Sequence, residues 1–326
     1  AAKRPNLNVV TEALTEQLLL DGKRCTGVAY ARGGRRVEAK AAREVVLCAG
    51  AIASPQILEL SGIGQPALLK SHGIEARHEL AAVGEYFRDH LMARVQWRIS
   101  RPGVSYNERV RGLGLVWQAA KYLATGGGFL GLPSAPLLAF LKTRPELAVP
   151  DAQLHLVPYA VKNPKRRKLH DFPGMTISGY QLRPESLGSV HVRSADPHAQ
   201  PAIRFNFLAD PIDRATMVAV IKTARRIVAS AAMDGFRGAE LSPGKDVDSD
   251  DAIEHWMRQN SETCYHPIGS CRMGPDAVVN ERLQVHGIAG LRIADASIFP
   301  TMPSGNTNAP AIMVGEKCAD LIRGES

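Results

Sequence analysis

The apolar positions divide the chain into short strands and longer helices. Residues 7–10, Leu-Asn-Val-Val, read as a strand. The runs 18–20 and 25–30, turned at Asp21-Gly22-Lys23, read as a hairpin, and 37–40 extends its sheet. Glu44-Val45-Val46-Leu47-Cys48-Ala49 is a largely apolar run suited to a strand buried on both faces. It ends in Gly50. Ser54-Pro55 then predicts a helix start, Ser as N-cap and Pro at the first helical position, with Ile57, Leu58 and Leu60 on one face. Residues 113–124 carry a helical period that aligns Leu115, Ala119, Tyr122 and Leu123. Strands are predicted at 152–158, 175–182, 189–193 and 203–207, and Asp210-Pro211 caps a long helix to about residue 233. A short helix at 250–259, a strand at 291–294, a Pro/Gly-rich loop and a helix at 309–323 close the chain.

At 326 residues the chain has room for about two domains. Its 45% hydrophobic and 22% charged residues exclude a disordered protein. No apolar run approaches the roughly 18 residues of a membrane span, and no basic-then-apolar leader opens the chain. The net charge is +8, mostly scattered, with one compact run at Lys165-Arg166-Arg167-Lys168. No aromatics interleave with that run, so it reads as a solvated loop or an electrostatic contact with a membrane or acidic partner, and no nucleic-acid partner is expected. The five cysteines are odd in number and lack CxxC spacing, which points to a reduced, cytoplasmic setting. Cys264-x-His266-x4-Cys271 lacks a fourth ligand, so no metal is expected.

Three stretches carry chemistry. In the first, residues 50–64, a buried strand ends in Gly and feeds a helix start where backbone can approach a ligand. The second, Tyr265-His266-Pro267-Ile268-Gly269-Ser270-Cys271-Arg272-Met273-Gly274, holds an imidazole in a Gly-containing loop, and imidazole accepts a proton near neutrality. The third joins residues 291–300 to Ser304-Gly305-Asn306-Thr307-Asn308-Ala309-Pro310, with two Asn ahead of a helix where Asn308 could serve as a cap. These stretches resemble the signatures of the glucose–methanol–choline (GMC) family of flavin-dependent oxidoreductases. The first matches the family's second signature position for position. Thr11 to Thr15, Val83 to His90 and Pro184 to Val190 resemble lesser family segments, with Tyr86, Phe87 and Leu187 departing from the usual residues. The resemblance runs from about Asn6 to Ile322 and is nearest to the bacterial choline and alcohol dehydrogenase branch.

The resemblance implies FAD as cofactor and oxidation of a primary alcohol, choline-like or otherwise small, aliphatic or aromatic. It implies that His266 takes the hydroxyl proton and that Asn306, at a position held by Asn or His in the family, is the second catalytic side chain. It places the cofactor near Thr15, Gly50, Ala51, Ser54, Asp295, Ala296, Thr307 and Asn308. The implied fold is mixed α/β: a partial Rossmann-type FAD domain plus a substrate domain with an antiparallel sheet backed by helices. The expected boundaries are 1–80 for part of the FAD domain, 81–285 for the substrate domain with the catalytic His loop, and 286–326 for a return to the FAD domain. The partners implied are the alcohol and an electron acceptor, oxygen or quinone-like. The expected location is the cytoplasm, with peripheral contact at the inner membrane.

Gly126-Gly127-Gly128-Phe129-Leu130-Gly131 satisfies GxGxxG, but it follows a helix and precedes Leu132-Pro133, so it reads as a helix stop. The family's strand–GxGxxG–helix unit is therefore not found, and an N-terminal segment of the same protein is the partner expected to complete the cofactor's grip. On that expectation the chain alone binds FAD weakly or not at all, and flavin retained through extensive dialysis would contradict it. Two rivals remain at this point: a hydroxynitrile-lyase-type relative that keeps FAD without net redox chemistry, and a fragment inactive without its N-terminal segment.

Overall fold

The computed structural model describes residues 3–133, 135–163, 166 and 168–324. Lys165 and Arg167, half of the basic run, lie outside the described residues. The chain forms two compact units, one of Ala1–Asp89, Ser186–Phe207 and His266–Ser326, the other of His90–Glu185 and Leu208–Tyr265. These differ from the boundaries expected from sequence. The loop beginning at His266 packs with the first unit, because Arg88 and Ile268 exchange backbone hydrogen bonds there.

In the first unit, Leu14–Asp21, Arg24–Arg32 and Arg35–Lys40 form an antiparallel sheet, turned at Gly22 with φ 53°. The strand expected at 7–10 is absent; those residues are exposed and irregular, and the sheet begins at Leu14. Val45–Leu47 pairs in parallel with Leu291–Ile293, a junction between the two ends of the chain. Leu47, Ile57, Leu58, Ile293, Val314 and Leu321 share the core beneath it. Arg292 and Glu44 close the same junction with a 2.7 Å ion pair.

The helix after this strand starts earlier than the Ser-Pro signal predicts. It spans Gly50–Leu60, so Ser54 is no N-cap and Pro55 lies inside the helix. Proline there removes a donor to the carbonyl four residues back. That carbonyl, Ala51 O, instead accepts from Ser270 Oγ at 2.6 Å, and the tertiary bond lets the helix run through the proline.

The second unit is built on an antiparallel sheet in the order Arg237–Ser242, Leu91–Ile99, Gly174–Gln181, Ala152–Val157, Leu137–Leu141, with Glu262–Thr263 pairing to the start of Leu91–Ile99. Gly174–Gln181 is buried along its whole length, as befits a strand covered on both faces. The helix Pro211–Ala229 packs on it, opened by Asp210, whose carboxylate accepts from Ile212 N at 2.8 Å. A Cβ at Gly179 would stand 2.5 Å from both Leu154 Cδ2 and Val220 Cγ1, so glycine sets how closely helix and sheet approach. The 113–124 period forms a helix, Gly112–Thr125, but Leu115, Tyr122 and Leu123 are exposed. Gly126, with φ 65°, stops it as expected, its N–H donating to Tyr122 O. Among the described residues no helix is long and apolar enough to cross a membrane.

Candidate active site

All the residues singled out for chemistry belong to the first unit. His266 follows Tyr265, which holds a left-handed φ of 60°, a conformation that costs a non-glycine residue about 1–3 kcal/mol. Its backbone N–H donates to Asp89 Oδ1 at 2.9 Å. Gly269, at φ 87°, turns the loop where a Cβ would sit 2.4 Å from Tyr86 O. These features aim the imidazole at Asn306. Asn306 Nδ2 lies 2.9 Å from His266 Nε2 across a sequence gap of 40 residues. An amide nitrogen can only donate, so Nε2 is the acceptor and its lone pair faces Asn306.

A second cluster joins the strand–helix junction to the other end of the chain. Asp295 Oδ2 accepts from Gly50 N at 2.9 Å and from Ser54 Oγ at 2.6 Å, while Oδ1 accepts from Ser297 N at 2.7 Å. One buried carboxylate thus holds the start of the helix Gly50–Leu60 and caps the short turn Ala296–Ile298. Thr307 and Asn308 follow Asn306 directly and open the helix Asn308–Arg323. Thr307, not Asn308, is the cap residue, and its side chain makes no capping bond. The helix therefore begins without a capping bond from Thr307 and with its positive dipole end beside Asn306.

Gly50, Ala51, Ser54 and Asp295 are brought together, and Ala51 is bonded to Ser270 of the His266 loop. Thr15 stands apart from them. Its strand is tied through Gln17 and Leu18 to Leu60 and Ser61, at the opposite end of the helix from Gly50. Asp89 and Ser270 hold the site without being singled out in the sequence; for Asp89 the Asp-His ending of the 83–90 stretch is a signal. A helix start with no capping bond from Thr307 and the exposed Asn306 and Asn308 amides are donors that fit a planar, acceptor-rich ring.

The second unit holds a cavity of about 1040 Å³, lined among others by Arg94, Gln96, His155, Tyr159, Trp256 and Glu262. Arg94 and Glu262 are ion-paired in its wall. Burial pushes the His155 pKa down, which keeps its ring neutral.

Comparison with known proteins extends this picture. Two family models, both described as GMC oxidoreductase, match residues 1–92 and 184–315. Oxygen-dependent choline dehydrogenase of Chromohalobacter salexigens is 42% identical over 328 residues, covering 99% of this chain and 58% of that protein. The chain thus spans little more than half the length of the curated relatives it matches. Formate oxidase of Aspergillus oryzae, in a structure concerned with FAD modification, superposes with a TM-score of 0.89 at 27% identity, covering 98% of this chain and 61% of the oxidase. A fungal aryl-alcohol oxidase shares the fold, with a TM-score of 0.82 at 22% identity over 96% of this chain and 60% of its own. With both family models on its sequence and that relationship along almost its whole length, the chain belongs to the GMC oxidoreductase family.

Proposed function

We propose that this chain is the part of an FAD-dependent oxidoreductase that activates a primary alcohol for oxidation to the aldehyde. The observation that carries the reading is the 2.9 Å pair of Asn306 Nδ2 and His266 Nε2. A substrate hydroxyl can replace this bond on both sides, donating to Nε2 and accepting from the amide N–H. His266 then takes the hydroxyl proton at Nε2, and Asn306 holds the developing alkoxide. Gly50, Ala51, Ser54, Asp295, Ala296, Thr307 and Asn308 would hold FAD, with Thr15 toward its far end. Bound FAD supplies the hydride-accepting ring. The uncapped start of the helix Asn308–Arg323 favours negative charge beside it.

The alcohol is small and aliphatic or aromatic. A choline-like alcohol belongs to the same reading. Oxygen or a quinone-like compound reoxidises the cofactor, and a peripheral contact with a membrane belongs to the same reading.

The test is His266→Ala in the complete, flavin-loaded enzyme. Turnover should fall by about 10²–10⁴-fold, the worth of general-base catalysis, while the two-band flavin absorption stays. Unchanged turnover removes His266 as the base. Bleaching of the flavin by alcohol separates this reading from a lyase, which does no net redox chemistry.

A further inference from the structure

The helix Gly112–Thr125 is turned inside out. Leu113, Val116, Trp117 and Leu123 recur at i, i+3, i+4 and i+10, one stripe of the helix, and are 88%, 64%, 68% and 85% exposed. The residue it buries is polar: Gln118 is 7% exposed and accepts from Phe129 N at 3.3 Å. A helix that only packs on its own domain would show the reverse pattern. Leu130 and Leu132, exposed just after it, extend the apolar surface.

The basic surplus of the chain lies in the stretch of sequence that contains this helix. Residues 98–168 contain twelve Lys and Arg against three Asp and Glu, so the rest of the chain carries no basic surplus. Contacts bring several of these charges to the helix. The Arg109 guanidinium lies 4.5 Å over the Phe129 ring, and Lys121 packs against Gly128. Arg111 donates to Leu169 O and His170 O at 3.1 and 2.8 Å, drawing in the ribbon whose Lys162 and Lys168 are exposed. Glu108, the acidic residue nearest the helix in sequence, accepts from Gly103 N.

We propose that this helix lies in the surface of an anionic lipid bilayer, its Leu113–Leu123 stripe among the outer acyl chains and the flanking Lys and Arg at the headgroups. An exposed apolar stripe with tryptophan in it and a basic flank is the chemistry of an interfacial helix, and the charge favours anionic lipid over a neutral partner. The proposal deepens the peripheral contact proposed above and does not rest on the flavin chemistry, so its test needs no turnover.

The chain is sedimented with vesicles of phosphatidylcholine alone and of phosphatidylcholine with phosphatidylglycerol. Binding should favour the anionic vesicles, weaken with salt, and shift the tryptophan emission to the blue. Trp117→Ala combined with Leu123→Ser, both at exposed positions, should lower the lipid affinity by about tenfold or more while the circular dichroism stays. Lys121→Gln should lower it by about fivefold, the worth of one basic residue at a charged surface. Absence of binding to either vesicle overturns the proposal, as does binding that the double variant leaves unchanged. A lipid-free dimer that the double variant dissociates would give the stripe to a second copy instead. Binding lost in a chain extended to the length of its relatives would give it to the added segment.

Discussion

The two units are stabilised by different kinds of contact. In the unit that carries His266, polar groups distant in sequence hold one another: Gly50 and Ser54 with Asp295, Ala51 with Ser270, Arg292 with Glu44. In the other unit an antiparallel sheet carries a long helix, and its cavity histidines are desolvated. The first unit uses ionised groups as fasteners at the ends of strands and helices. The second carries its ion pairs, Arg225 with Glu240 and Arg94 with Glu262 among them, on a backbone ladder, and burial lowers the pKa of its cavity histidines. Catalytic geometry built from loops needs the first kind of fastening, because loops have no ladder to position them.

Asp295→Ala sharpens the contrast most. It leaves Gly50 N, Ser54 Oγ and Ser297 N without their acceptor, which should cost about 3 kcal/mol in urea denaturation. All three tryptophans, Trp97, Trp117 and Trp256, lie in the second unit. Circular dichroism should therefore show an early transition that tryptophan fluorescence does not. A single coincident shift in both signals would mean that the units unfold as one.

Titration should separate the units next. Burial alone would lower the His191 pKa, but the hydrogen bond and charge of Glu59, with Glu85 adding to them, raise it overall. Its contribution is complete below about pH 6.5 and is lost as pH rises through the raised value. His155 is lowered by burial, and His170 by burial and then by the charge of Lys162, partly offset by Asp171. These two cost nothing above about pH 6.5 and destabilise as pH falls from there toward their lowered values. Fluorescence-detected stability should fall on acidification, and the dichroism-detected loss on the alkaline side should vanish in His191→Gln. Opposite slopes would refute the assignment.

The smallest effect is expected on the outward helix. Trp117→Ser should change stability by less than about 0.5 kcal/mol in urea, since the indole is exposed. A loss of several times that would mean the stripe is packed, and would break the contrast between this face and the core.

Much of the first unit's site was legible because its residues occur in short contiguous stretches. The strand ending at Leu47, half-buried at Val45 and Val46, the loop from His266 and the helix after Asn306 could each be placed from local pattern. The helix start at Gly50 was not legible, because the local Ser-Pro signal points to residue 54. Ser54 is claimed by Asp295 and the proline's vacated carbonyl by Ser270, partners more than two hundred residues away. The strand expected at 7–10 failed for a related reason: an apolar run without a paired neighbour does not make a strand. For Gly112–Thr125 the period correctly predicted a helix, and only the packing revealed that its apolar side faces outward.

By itself, then, the sequence determined the local elements and the side chains able to do chemistry, since propensity, turns and caps act within a few residues. Tertiary structure alone decided that Asn306 meets His266, that one carboxylate serves both Gly50 and Ser54, and that the His266 loop folds with the first unit. Those facts depend on contacts between distant segments, and no local free energy encodes which distant group will arrive.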